Sequence, residues 1–169
     1  MSKTPLTMEA LMAQALEMER EAAQRYAELA DAMETHHNLE VAQMFRTMAG
    51  YEAKHAEKIV QEMGGKEDPS LAGVGWPGRE APEVVPHDAV HYLMHPWHAL
   101  QLALAAELRA EAFFSDLARQ AATEAVRRAA MEMQAEEAEH AALVRQWLAK
   151  VPEPPPDWSE DPDPPRYNE

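Results

Sequence analysis

Two stretches of this chain repeat each other, and the repeat carries charge where an amphipathic helix should be apolar. Ala15-Leu16-x-x-Glu19-x-x-Ala22-x-x-x-Tyr26-x-x-Leu29-Ala30 aligns with Ala103-Leu104-x-x-Glu107-x-x-Ala110-x-x-x-Phe114-x-x-Leu117-Ala118. Met48-x-x-x-Glu52-Ala53-x-His55-Ala56 aligns with Met133-x-x-x-Glu137-Ala138-x-His140-Ala141. The offsets of the two alignments differ by three residues, which a shorter second turn absorbs. Two copies are too few for an open solenoid, whose repeats must stack to bury a continuous core. Two related helical hairpins joined by a long connection predict an all-α four-helix bundle with one crossover.

Proline, glycine and capping residues mark the borders of the elements. Thr7 is an N-cap candidate, and the first helix is expected to run to about Thr35. His36, His37 and Asn38 read as a tight turn, and a second helix follows from about Leu39 to Met63. Gly64–Gly65 ends it. Residues 66–86 read as irregular, and His87–Met94 as a short helix. Pro96 suits the first turn of a third helix reaching about Ala121. Thr123 is placed to cap a fourth, ending near Lys150. This gives a bundle over residues 1–150, with a crossover at 64–95, and a tail at 151–169. The tail holds seven of the 13 prolines and six acidic residues, a composition that predicts an extended end with no packed core.

At 3.6-residue spacing the apolar stripe of helix one comprises Met12, Ala15, Leu16, Ala22, Ala23, Tyr26, Leu29 and Met33, with Glu19 in its middle. Helix two contributes Val41, Phe45, Met48, Ile59 and Met63 around Glu52 and His55. Leu100, Ala103, Leu104, Ala110, Phe114 and Leu117 of helix three surround Glu107. Val126, Ala130, Met133, Val144 and Trp147 of helix four surround Glu137 and His140. Four glutamates and two histidines therefore face inward at similar depth. A buried carboxylate costs several kcal/mol unless it is paired or coordinated. The basic residues Arg20, Arg25, Lys54, Lys58, Arg109 and Arg119 lie mostly off these stripes. Two divalent cations supply the missing charge: four carboxylates and two neutral imidazoles around two Fe(II) ions sum to about zero. Oxygen and nitrogen ligation without sulfur suits iron or manganese, with zinc also able to bind. Glu-x-x-His puts an oxygen and a nitrogen on one helical face, leaving the lone glutamates Glu19 and Glu107 to bridge.

Composition closes off other chemistries. Thirty acidic against 15 basic residues give a net charge of −15, which argues against nucleic acid or an anionic membrane as partner. With no cysteine there is no thiolate nucleophile, cysteine-held cluster or disulfide scaffold. No apolar run is long enough to span a bilayer, and the first residues lead into an amphipathic stretch, so the cytoplasm is the expected compartment.

The paired motifs resemble the rubrerythrin-like branch of the ferritin-like superfamily, over about residues 8–63 and 97–149. The resemblance implies a ferritin-like bundle binding two irons per chain. It implies Glu19 and Glu107 as single-carboxylate ligands, and Glu52 with His55 and Glu137 with His140 as paired ligands. Tyr26 matches the family's aromatic position near the metals and is the candidate catalytic residue, and Phe114 holds the equivalent place in the second hairpin. Two departures stand out. Peroxidase-active rubrerythrins carry a further glutamate three residues after the helix-three ligand, where this chain has Ala110, with Glu111 the nearest substitute. The cysteine-bearing rubredoxin domain is also missing, so electrons must come from an external donor. The expected activity is oxidoreduction of O2 or hydrogen peroxide by a homodimer. The alternatives are ferroxidase chemistry with iron storage or delivery, oxygenation of an organic substrate, and a non-catalytic helical scaffold.

Two further features call for a role. His87, His91, His95 and His98 form a second cluster, read either as a solvated stripe or as another metal site. Trp158 and Tyr167 offer anchors for the tail on a neighbouring subunit or partner.

Overall fold

The computed structural model describes residues 4–65 and 82–161, which build four long helices. They are α1 (Met8–Thr35), α2 (Leu39–Glu62), α3 (Pro96–Arg119) and α4 (Glu124–Leu148). Side chains cap three of them: Thr7 Oγ1 accepts from the Ala10 N–H, Asn38 Oδ1 from Val41 and Thr123 Oγ1 from Val126. Pro96 opens α3 at a position where its missing N–H costs no helical bond. His37 takes a positive φ of 59° in the α1–α2 turn, and the Asn38 N–H donates to Met33 O at 2.8 Å. Gly64 and Gly65, at φ 68° and 74°, end α2 in the left-handed region that glycine enters freely.

The hairpins pack α1 on α2 and α3 on α4, and come together as a four-helix bundle. At one end Leu6 is laced to the α3–α4 turn, its N–H donating to Gln120 O at 2.7 Å and its carbonyl accepting from Ala122 at 2.8 Å. The core forms two apolar clusters. One holds Leu11, Leu16, Ile59, Phe114, Leu117 and Val126; the other holds Leu29, Met33, Phe45, Leu100 and Val144. In every helix the repeated glutamate falls between them. Glu19 separates Met18 from Tyr26, Glu52 separates Met48 from Ala56, Glu107 separates Ala106 from Ala110, and Glu137 separates Met133 from Val144.

Two segments differ from expectation. Within His87–Met94 only His87–Ala89 is helical, as a single 3-10 turn. Side chains of the bundle bond this connection's backbone instead: Asn38 Nδ2 donates to Met94 O at 2.7 Å and Arg25 Nη1 to Val85 O at 2.8 Å. The start of the tail is not a free extended end. A turn forms over residues 156–159, and Trp158 packs on its own chain, 3.9 Å between ring centroids from His98 and 5.3 Å edge-on from His91. Tyr92 Oη donates to Asp161 at 2.6 Å. Proline denies this segment a helix, but one large aromatic ring suffices to dock it. Residues 66–81, Tyr167 and the side chain of His87 lie outside what is described. Among the described residues no helix is long and apolar enough to cross a membrane.

Candidate metal centre

Each long helix sends one glutamate into the seam between the apolar clusters. Glu52 and Glu107 are 0% exposed, Glu137 1% and Glu19 2%. His55 and His140 project from α2 and α4, one turn after Glu52 and Glu137, with imidazoles stacked at a centroid distance of 4.3 Å. Their side chains are 17% and 18% exposed, so the centre meets solvent on its imidazole side.

The donor atoms sort into two overlapping groups. His55 Nδ1 lies 3.3 Å from Glu19 Oε1 and 3.7 Å from Glu137 Oε1. His140 Nδ1 lies 3.7 Å from Glu107 Oε2, 3.8 Å from Glu52 Oε1 and 4.0 Å from Glu137 Oε2. The two oxygens of Glu137 thus face different imidazoles. Glu19 and Glu107, the lone glutamates expected to bridge, each face one imidazole in these contacts.

The donor set fits cations. Among the described residues, none of these four glutamates forms an ion pair with lysine or arginine. Buried oxygens of Glu19, Glu52, Glu107 and Glu137, together with His140 Nδ1, have no hydrogen-bond partner. Such orphaned groups are rare in folded proteins and call for a ligand. Without a cation, protons take that place. Burial raises the carboxyls of Glu19 and Glu107, and it raises Glu52 well above the carboxylate range, with Glu19 adding to the effect. Burial likewise lifts Glu137 to about 7, His55 opposing it. On His55 burial acts downward, but Glu137 and Glu19 outweigh it and lift the imidazole to about 11. His140 is raised as well: burial opposes, but Glu107 and Glu52 prevail. Divalent ions and protons therefore compete for the same atoms.

A fifth carboxylate completes the cluster, and sequence reasoning missed it. Glu83, in the crossover, is 0% exposed, and oxygens of Glu19, Glu52 and Glu83 lie within 4.8 Å of one another. Its only sequence signal is a glutamate beside the apolar pair Val84–Val85, and no periodicity extends to it. Glu111, the nearest residue to the missing helix-three glutamate, is half-buried and belongs to none of the metal-competent groups among the described residues. Tyr26 is fully buried, its ring centroid 6.0 Å from that of Phe45 and its hydroxyl without a partner. Burial raises its phenol well above the ordinary value, and the charges of Glu107, Glu52 and Glu83 add to this.

The second histidine cluster serves the backbone. His91 Nδ1 accepts from the Leu93 N–H and His98 Nδ1 from the His95 N–H, both at 3.0 Å. Neither they nor His95 belong to a metal-competent group among the described residues.

Comparison with known proteins bears on the whole arrangement. The family model described as Rubrerythrin matches residues 10–84, from the first turn of α1 through Glu83. The crystal structure of an uncharacterized conserved protein from Magnetospirillum magnetotacticum MS-1 is similar over most of the chain. It is 35% identical, covers 89% of this chain and 99% of its own, and superposes with a TM-score of 0.64. A search among curated proteins finds no match.

Proposed function

The chain belongs to the rubrerythrin family, and from that premise we propose that it is a di-iron oxidoreductase reducing hydrogen peroxide or O2. The observation that carries this reading is the set of unpartnered carboxylates and imidazoles sealed between the two halves of the core. Glu19, Glu52, His55, Glu107, Glu137 and His140 would hold the ions. Iron bound there would supply the redox chemistry: two electrons and two protons turn one hydrogen peroxide into two waters, or one O2 into hydrogen peroxide, with an external redox protein or small reductant restoring the electrons.

The chain's own residues set the conditions for that chemistry. Apolar side chains on both sides of the carboxylate layer exclude bulk water. The partly exposed imidazole side is the one from which a small oxidant would approach in this reading. Tyr26 keeps its proton, and in this reading its unpartnered buried hydroxyl would be the proton donor. Manganese or zinc would satisfy the same atoms, but zinc has no redox chemistry. In this reading the protein acts in the cytoplasm as a homodimer.

Metal content per chain, with optical spectra before and after peroxide, tests the reading on wild type and on the double variant Glu52→Ala/Glu137→Ala. The expected outcome is two irons per wild-type chain, a near-ultraviolet charge-transfer band, and faster peroxide loss when a reductant is present. The double variant should lose all three. A folded wild type that takes up no iron would reduce the bundle to a scaffold. Many irons per chain in a large assembly would point to storage.

A further inference from the structure

Glu83 stands outside the internal repeat, yet it lies with the repeated glutamates. Both of its carboxylate oxygens are buried and without a hydrogen-bond partner. Its nearest polar company is Glu19 and Glu52, so three acidic groups share one small volume. A stray acid in a loop would turn to water or to a guanidinium. Two guanidiniums are at hand, and both bind the backbone around Glu83 instead. Arg109 donates from Nε to Pro82 O at 2.8 Å and from Nη2 to Val84 O at 3.2 Å. Arg25 donates from Nη1 to Val85 O at 2.8 Å. Val84 packs into one apolar cluster and Val85 into the other, so the segment crosses the core at the level of the carboxylate layer. One arginine from α1 and one from α3 hold this crossing, with the Glu83 side chain inside.

We propose that Glu83 is a seventh protein ligand of the metal centre, delivered by the crossover segment to the ion on the Glu19–Glu52 side. The inference rests on the di-metal reading above and adds to it. Five carboxylates against two divalent cations leave one negative charge in excess, which favours a more highly charged metal pair and so the oxidised state.

Cobalt(II) is the probe, because its visible band reports coordination number without any turnover. The metal-free full-length chain is titrated as wild type, Glu83→Gln and Glu52→Ala, with ions per chain counted after gel filtration. The wild type should bind two. Glu83→Gln should keep its helical circular dichroism but bind one of the two ions at least roughly tenfold more weakly. Its visible band should also change in intensity, because a neutral amide replaces the carboxylate ligand. Unchanged affinities and an unchanged band in Glu83→Gln, with an ion lost from Glu52→Ala, would overturn the seventh ligand alone. A folded wild type that binds no cobalt would overturn it together with the di-metal reading. Should Glu83→Gln not fold, Glu83→Asp keeps the charge and shortens the reach. The same weakening is expected there, and its absence would equally overturn the proposal.

Discussion

Tyr26 and Phe114 occupy matching places in the two hairpins, and both are buried. Phe114 shows that packing at this register needs only the ring, so the Tyr26 hydroxyl is surplus to folding. It has no hydrogen-bond partner, and burial beside three carboxylates keeps it protonated. Tyr26→Phe should therefore leave the stability of the metal-free protein within about 1 kcal/mol of wild type, since no hydrogen bond is lost. Iron content should not change. Peroxide reduction should slow about tenfold or more, the scale of a lost proton donor, and stopped-flow turnover with a fixed reductant reads this directly. Equal rates in the two proteins would leave the phenol a packing role only. The repeated glutamates and histidines were legible in the sequence because each interrupts a 3.6-residue apolar stripe. Glu83 was not, because a residue in an aperiodic segment has no register from which to infer where it points.

The helices follow closely from their caps and stripes, since those signals are local. The crossover is governed by contacts distant in sequence. Arg25 reaches Val85 and Arg109 reaches Pro82 and Val84, across 60 and 25–27 residues. Proline and glycine content marks residues 64–95 as irregular, but it says nothing of which carbonyls an arginine on α1 or α3 will bind. The docking of Trp158 on His91 and His98 was hidden for the same reason. The arginine clamp makes a prediction about this one element. Arg109→Ala removes the donors to two carbonyls and should destabilise the protein by about 1–3 kcal/mol. Hydrogen exchange should quicken at residues 83–85 while the centres of α1 and α4 stay protected. Uniformly faster exchange throughout the bundle would mean instead that the clamp is part of the global fold.

Across the whole molecule, the buried acids set how stability responds to pH. The folded state holds the proton of Glu137 up to about 7, against 4.5 for an ordinary glutamate. Glu19, Glu52, Glu83 and Glu107 are shifted in the same direction, each chiefly by burial. Between these values the folded chain binds more protons than the unfolded one, so stability falls as pH rises. His55 adds to the slope. Its folded value of about 11 lies above the ordinary 6.5, so its contribution is complete below 6.5 and is lost as pH climbs towards 11. Glu124, held low by Arg127, acts in the opposite sense, but it is exposed and its pairing is screened by water. The metal-free protein should thus melt about 5 °C or more higher at pH 5 than at pH 8. Metal reverses this trend, because it occupies the atoms that the protons leave. Its affinity rises with pH, and ligand bound only by the folded state adds stability in proportion to the logarithm of its saturation ratio. Thermal melts in chelator and in excess Mn(II), taken from pH 5 to 8, should therefore diverge, with the metal-induced gain widest at pH 8. A metal-free melting temperature that is flat or rising across this window would mean that the five glutamates ionise freely. The bundle would then hold its acidic layer by some means other than shared protons and cations.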